Sequence, residues 1–163
     1  MPEPWVINAS PVILLAKAGL IERVPALADP LVIPEAVAEE ILRGQGEDAA
    51  ARWLKGAGRR FIRAAGAGLA ELSGFGIGLG ERAVIAWAKA HPGFVAVMDD
   101  HEARVAAQQL GIRVIGTVGV ILLLKRAGVI TEAKSPLLRI RSMGGYVGDE
   151  LFRKALRNAG EEP

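Results

Sequence analysis

Short apolar runs alternate with amphipathic stretches along the chain. Runs over residues 5–7, 31–33, 94–98 and 113–115 predict buried strands, and residues 61–63 predict an edge strand. Helical stretches separate these runs. Because a helix that joins two strands returns the chain to the same end of a sheet, the alternation predicts βαβ units with a parallel sheet.

The helices are predicted from apolar periodicity and from start and stop signals. Ser10 and Pro11 are expected to open the first helix, as N-cap and first helical residue, and Gly19 to close it. Thr117 is expected to cap a helix that ends near residues 127–128. Other helices are predicted over residues 34–43, 47–55, 81–90, 100–110, 135–143 and 149–158, the last of them basic. A glycine-rich loop at 73–80, a break at 144–145 and a short extended segment at 146–147 are also predicted.

These elements predict a three-layer α/β fold, with a central, mostly parallel sheet flanked by helices. With 163 residues the chain has the length of one domain. We expect a single domain over residues 1–163, with a core at 5–130. Residues 131–163 are expected to form a short basic helical appendage on that core.

The amino-acid composition excludes several classes of protein. Hydrophobic residues make up 51% of the chain, and cysteine is absent. The apolar content excludes a disordered chain, and the lack of cysteine excludes disulfides, thiol catalysis and cysteine-ligated metals. The uncharged runs are too short to span a bilayer, and the first residues have no basic region typical of a signal peptide. We therefore expect a cytoplasmic protein without a membrane partner.

Positive charge is concentrated in two parts of a chain whose formal net charge is only +2. Residues 52–63 hold five cations and no acid, and residues 104–157 hold ten cations and three acids. These stretches are either solvated helix faces or a surface that binds the phosphates of RNA. The candidate RNA-binding residues are Arg52, Lys55, Arg59, Arg60, Lys125 and Arg126.

Candidate chemistry lies at the predicted carboxyl edge of the sheet, where parallel sheets bind ligands. The residues expected there are Asn8, Ser10, Glu81, Asp99, Asp100 and Thr117, with Glu39 or Glu40 on the helix after the second strand. Capping alone could account for Ser10, Thr117 and Asp100. Asp99 instead needs a counter-charge, either a metal ion or Arg104. Carboxylates without cysteine favour a hard cation such as Mg²⁺ or Mn²⁺.

Three other site types fit the sequence less well. The chain has no G-x-S-x-G motif of a serine hydrolase and no phosphate-binding P-loop. A receiver-like phosphoacceptor domain would use Asp99, Asp100, Thr117 and Lys125. However, Lys125 is predicted inside a helix instead of at a strand end, and the first strand lacks an acid pair.

Five segments occur in an order and spacing that resemble a known family. They are VINASP at 6–11, VIPEAVAEEI at 32–41, GLGERA at 78–83, MDD followed by AR at 98–104, and VIGTVG at 114–119. Together they resemble the PIN-domain family, in its VapC-like branch with a GT-x-G segment. The resemblance implies an Mg²⁺- or Mn²⁺-dependent ribonuclease that forms a homodimer and, like many members of the family, is the toxin of a toxin–antitoxin pair.

The resemblance also implies roles for individual residues. Glu40, Glu81 and Asp99 match the family's acids, with Asp100 a close second to Asp99, and Ser10 matches a small hydroxyl residue. Asn8, Glu40, Glu81 and Asp99 would bind the metal, supported by Ser10, Thr117 and Arg104.

Position 8 departs from the family pattern, because the family has Asp where this chain has Asn8. A unit charge pair about 4 Å apart is worth roughly 4 kcal/mol at an effective dielectric constant of about 20, before desolvation. Asn8 should therefore weaken metal binding. Two hypotheses follow: an active ribonuclease, or a PIN-like module that binds nucleic acid or a partner with weak or lost catalysis.

Overall fold

The computed structural model describes residues 2–44, 48–66, 68–144 and 147–162. Its single five-stranded sheet is parallel throughout, with the strand order β3-β2-β1-β4-β5. The strands are β1 (Glu3–Ile7), β2 (Ala28–Pro34), β3 (Ile62–Arg63), β4 (Val95–Val97) and β5 (Val114–Ile115).

Helices follow the strands along the chain. They are α1 (Ala9–Lys17), α2 (Glu35–Arg43), α3 (Ala49–Lys55), α4 (Leu79–Ala90), α5 (His101–Gln109), α6 (Thr117–Arg126), α7 (Lys134–Ser142) and α8 (Asp149–Asn158). Short 3₁₀ segments cover Ile21–Ala26, Arg59–Phe61 and Ala70–Phe75. Over the described ranges, no helix is long and apolar enough to cross a membrane.

The burial of the central strands shows that both faces of the sheet are covered. Trp5, Val6 and Ile7 of β1 are consecutive and all buried, as are the three residues of β4. Because successive strand residues point to opposite faces, such burial requires helices on both sides. The predicted three-layer α/β fold is therefore confirmed, including its parallel sheet and its edge strand β3.

Two predicted helix caps are wrong. Helix α1 begins at Ala9, so Asn8 and not Ser10 is its N-cap residue, and Pro11 is not its first helical residue. Helix α6 begins at Thr117 itself, after Gly116. Both hydroxyl groups instead contact a carboxylate, as described below. The capping prediction for Asp100 is confirmed, because its Oδ2 accepts a hydrogen bond from Ala103 N–H at 3.0 Å.

Other boundaries differ by a few residues. The predicted loop at 73–80 contains the end of a 3₁₀ segment, and α4 begins at Leu79. Glu47, Gly145 and Tyr146, which belong to a predicted helix start, break and extended segment, lie outside the described residues. Val147 is buried and is not in a strand.

The carboxylate of Glu161 ties the C-terminal end to the core. It accepts hydrogen bonds from Ala133 N–H at 2.7 Å, Lys134 N–H at 3.1 Å and Lys125 Nζ at 3.1 Å. Burial alone would raise the pKa of Glu161, but these hydrogen bonds and the charge of Lys125 outweigh it and lower the pKa. The last helices therefore pack on α6, and the partly buried carboxylate of Glu161 joins them to it.

Candidate active site at the carboxyl edge of the sheet

The sheet order places the ends of β1 and β4 side by side. Asn8 follows β1, and its N–H donates to the carbonyl of Val97 at the end of β4 at 3.0 Å. In the sheet, β2 and β3 lie on one side of β1, and β4 and β5 lie on the other side. Such a switch point opens a crevice at the carboxyl ends of the strands.

Asp99 connects three elements at this edge. Its Oδ1 accepts Thr117 N–H at 2.7 Å, and its Oδ2 accepts the hydroxyl groups of Thr117 at 2.6 Å and Ser10 at 3.1 Å. A carboxylate has about four acceptor sites, so roughly one remains for another ligand. Asp99 therefore joins β4 to the first turns of α1 and α6.

Arg104 lies beside Asp99 but bonds to a backbone carbonyl instead of forming a direct ion pair with this carboxylate. Its Nη1 donates to the carbonyl of Met98 at 3.1 Å, and no ion pair joins Arg104 to Asp99 in the part of the chain that the structure describes. A Cβ atom on Gly116 would lie 2.7 Å from Arg104 Nη1 and 3.0 Å from Asp99 Oδ1. The absence of a side chain at position 116 thus lets both charged groups approach the backbone.

Asn8 carries a buried polar atom without a partner. The residue is 5% exposed, and its Oδ1 has no hydrogen-bond partner among the described residues. A Cβ atom on Gly80 would lie 3.4 Å from Asn8 Oδ1 and 3.6 Å from Glu40 Oε1. Because a buried oxygen without a partner costs free energy, this atom is a candidate ligand for a cation.

Glu81 is the group whose electrostatics the site changes most. Burial raises its pKa, and the charges of Asp100, Glu40 and Glu102 raise it further, against a hydrogen bond from the Gly78 N–H. That hydrogen bond joins the third helical residue to the N-cap residue, as in a capping box. Because the neighbouring carboxylates contribute to this raised pKa after burial, a cation bound at this edge would reduce their repulsion.

The donor set fits a hard divalent cation in its chemistry, although the ligands are not fully assembled. The oxygen atoms of Asn8, Glu40, Glu81 and Asp99 are the kind that Mg²⁺ and Mn²⁺ prefer. Within the described ranges, no three acidic or histidine side chains already form a group that could hold a metal ion. A cation would therefore draw these side chains closer as it binds.

The structure separates the candidate RNA-binding residues from this edge. Helix α6 has ten residues and begins beside Asp99, so Lys125 and Arg126 lie roughly 12 to 14 Å along its axis from Thr117. Arg52 lines a cavity with Ala16 and Gly19, at the far end of α1 from Asn8. Lys55, Arg59 and Arg60 precede the amino end of β3. Lys125 also pairs with Glu161 at 3.1 Å.

Three residues matter at the site in ways that the sequence did not predict. Glu102 contributes to the charge around Glu81, and Gly80 and Gly116 allow close approach of charged groups to the backbone. The sequence carried one usable signal, since Glu102 lies in the first turn of the helix that follows Asp99 and Asp100. The glycines had no such signal, because the atoms that approach them come from distant parts of the chain.

Comparison with known protein families gives a match over nearly the whole chain. A family model described as a PIN domain matches residues 4–161. No curated protein and no solved structure matches the chain significantly.

Proposed function

Because this chain belongs to the PIN-domain family, we propose that it is an endoribonuclease that hydrolyses RNA phosphodiester bonds with a divalent cation. The observation that carries the proposal is the arrangement around Gly80. The Oδ1 of Asn8, unpartnered among the described residues, and the carboxylate of Glu40 lie there, and burial together with acidic neighbours raises the pKa of Glu81. Repelling carboxylates beside a buried free oxygen favour cation binding.

Each of these residues has a distinct part in the proposal. Asn8, Glu40, Glu81 and the remaining acceptor site of Asp99 would hold Mg²⁺ or Mn²⁺. When bound, such an ion lowers the pKa of a water molecule and stabilises the charge that develops on a phosphate. Ser10 and Thr117 keep the carboxylate of Asp99 in one orientation. Arg104, fixed by the Met98 carbonyl, offers its other N–H groups to the RNA backbone.

The test uses two adjacent glutamates on α2. Both are exposed; Glu40 Oε1 lies beside Gly80, and Glu39 is its neighbour on the same helix. With labelled RNA and limiting Mn²⁺, Glu40→Gln should lower the cleavage rate at least about tenfold, and Glu39→Gln should stay within about twofold. Asp99→Asn should also lower the rate. Absence of cleavage by the parent protein, or equal rates for the parent and Glu40→Gln, would overturn the proposal.

A second candidate function is a PIN-like module that binds nucleic acid or a partner, with weak or lost catalysis. Two observations favour it: Asn8 offers a neutral oxygen where the family has a carboxylate, and Asp99 already accepts three hydrogen bonds. The decisive variant is Asn8→Asp, with Asn158→Asp as a control that adds the same charge at the end of α8.

The two functions differ in what Asn8→Asp does. If the module has lost its chemistry through Asn8, this variant should bind Mn²⁺ at least about tenfold more tightly and gain cleavage that the parent lacks. Calorimetric titration with Mn²⁺ and the same RNA assay measure both effects. An unchanged affinity and rate would reject this second function.

We extend the proposal, on the family membership alone, to a cytoplasmic homodimer that acts as the toxin of a toxin–antitoxin pair. Expression of the parent protein should then arrest growth, and expression of Glu40→Gln should not. Light scattering of the purified protein should give twice the mass of one chain. A monomer, or growth unaffected by the parent protein, would reject the corresponding part of this extension.

A further inference from the structure

A cavity of about 830 Å³ is lined by residues of β5 and α6 and by residues at the end of α8. None of the residues proposed to hold the cation lines it, and neither does Ser10 or Thr117. Its volume is within the range of about 300 to 1,000 Å³ that is usual for small-molecule sites. The cavity is therefore a candidate binding site separate from the carboxylates at the edge of the sheet.

Three cations line this cavity, and among the described residues no carboxylate does. They are Arg113, directly before β5, and Lys125 and Arg126 in the last turn of α6. Arg113 forms an ion pair with Glu3 at 2.9 Å, and Lys125 forms one with Glu161 at 3.1 Å. The side chain of Arg126 has no ion pair or hydrogen bond in the described ranges. The cavity therefore holds one positive charge that no acid compensates.

The same cavity also has aliphatic side chains in its lining. Arg126 follows Leu122 by four residues and Leu123 by three, so the three side chains share one face of α6. Leu122 and Leu123 are only partly buried, and so is Ile115 of β5, which also lines the cavity. An apolar group that covered them would remove apolar surface from water, which is favourable.

The helix dipole explains only part of this arrangement. Cations in the last turn of a helix interact favourably with its free carbonyl groups, which accounts for Lys125 and Arg126. The dipole does not account for a third cation, Arg113, that comes from another element. Nor does it account for two leucines that stay partly exposed in the same cavity. A ligand with a negative charge and an apolar body would match both features.

The charges decide against a second copy of this chain as the occupant. A symmetric dimer uses the same surface patch on both subunits. In the part of the chain that the structure describes, this patch has three cations and no carboxylate, so like charges would oppose the contact of two copies. The occupant is therefore expected to be an anion.

We propose that this cavity binds a small amphipathic carboxylate, with its single negative charge at Arg126 and its aliphatic body against Leu122 and Leu123. A carboxylate matches the one uncompensated positive charge, and a guanidinium can hold both of its oxygen atoms through two parallel hydrogen bonds. An aliphatic body matches a lining in which the described residues include no aromatic side chain. The proposal goes beyond the nuclease function and shares no residue with it.

The experiment uses octanoate as the probe. It is titrated into the protein below its micelle concentration, in EDTA and without RNA, and the affinity is measured by calorimetry. Octanol keeps the aliphatic chain without the charge, and acetate keeps the charge without the chain. Both should bind at least about tenfold more weakly than octanoate, because each lacks one of the two contacts. Amide shifts in NMR spectra should be concentrated at residues 113–126 and 158–159.

Two pairs of variants test the charge in the cavity. Arg126→Gln removes it, and Arg153→Gln removes the same charge at an exposed arginine of α8 that does not line the cavity. Asn158→Asp adds a negative charge to the lining, and Gln109→Glu adds one at an exposed glutamine of α5. We expect Arg126→Gln and Asn158→Asp to weaken octanoate binding at least about tenfold and the two controls to change it less than about twofold. Thermal unfolding of each variant shows that it is folded.

Equal octanoate affinity for the parent and Arg126→Gln would overturn the proposal, as would amide shifts confined to other parts of the chain. If single-stranded RNA shifts the amides of residues 122–126 and octanoate does not, these cations belong to an RNA-binding surface and the carboxylate site is rejected. A dimer that buries this face would also exclude octanoate, and light scattering would detect it. Because the octanoate titrations contain neither Mn²⁺ nor RNA, a failure of the nuclease function would leave their results unchanged.

Discussion

Thr117 donates both its backbone N–H and its hydroxyl group to the carboxylate of Asp99, at 2.7 and 2.6 Å. Thr117 is 3% exposed, and Asp99 is partly buried. Hydrogen bonds to an ionised group are about twice as strong as neutral ones. The pair therefore fixes the start of α6 against the end of β4, and it orients the carboxylate that faces the candidate active site.

The first prediction concerns this pair. Thr117→Val keeps the shape of the side chain but removes the hydroxyl group, leaving a buried acceptor with one partner fewer. We expect a loss of about 1 to 2 kcal/mol in the free energy of unfolding, or roughly 2 to 8 °C in Tm, measured by thermal unfolding. Thr117→Ser should recover most of it. Thr131→Val, at an exposed threonine, should change stability by less than about 0.5 kcal/mol.

The second prediction concerns Gly116. A Cβ atom there would be too close to Arg104 Nη1, so Gly116→Ala should displace the guanidinium and break its hydrogen bond to Met98. We expect a loss of about 1 kcal/mol and weaker binding of single-stranded RNA. Gly74→Ala is the control, because no atom lies within 4 Å of its added Cβ. If Gly116→Ala matches the parent in both stability and RNA affinity, the close packing of Arg104 has no energetic consequence.

The third prediction concerns the raised pKa of Glu81. Below the ordinary pKa of 4.5, Glu81 is protonated in both folded and unfolded chains, and Glu81→Gln should have little effect. As the pH rises through the raised pKa of Glu81 in the folded parent, this carboxyl group ionises there. Burial and the acidic neighbours disfavour its charged form, so ionisation lowers the stability of the folded chain. Glu81→Gln should therefore be more stable than the parent at pH 7.5 without metal, by less than about 1 kcal/mol. Denaturant unfolding at pH 4 and 7.5 in EDTA measures this, and a less stable variant at pH 7.5 would contradict it.

The fourth prediction concerns Glu161, whose pKa is lowered. Its ionised form stabilises the folded chain, so this contribution is present above pH 4.5 and is lost as the pH falls through the folded pKa. Glu161→Gln should be less stable than the parent at pH 7 by about 1 to 3 kcal/mol, and the difference should disappear in acid. Glu162→Gln, at the exposed neighbouring residue, should show no such pH-dependent difference. Thermal unfolding across the acidic range distinguishes the two variants.

Most of the fold could be predicted from local pattern. The five strands and eight helices of the described chain match the predicted elements within a few residues, because apolar runs and periodic stretches report burial directly. The helix starts at Ser10 and Thr117 were wrong for a physical reason. An N-cap hydroxyl accepts a hydrogen bond from a backbone N–H of the first helical turn, whereas the hydroxyl groups of Ser10 and Thr117 donate to the carboxylate of Asp99, which lies far away in the sequence.

The sequence by itself determined which residues could carry the chemistry. Scarce polar side chains at strand ends pointed to Asn8, Ser10, Asp99 and Thr117, and the order of motifs indicated the PIN-domain family. The sequence also showed that Asn8 stands where the family has Asp, because the identity of a residue is read directly from the sequence.

Only the tertiary structure decided how these residues meet. Ser10 and Asp99 are 89 positions apart and are brought together because β1 pairs with β4, which is not its neighbour along the chain. In the same region the Oδ1 of Asn8 is buried without a hydrogen-bond partner among the described residues, and a cavity lies beside Asp99. Local sequence patterns report burial and helix starts, whereas contacts across the sheet depend on strand order and on side-chain packing between distant segments.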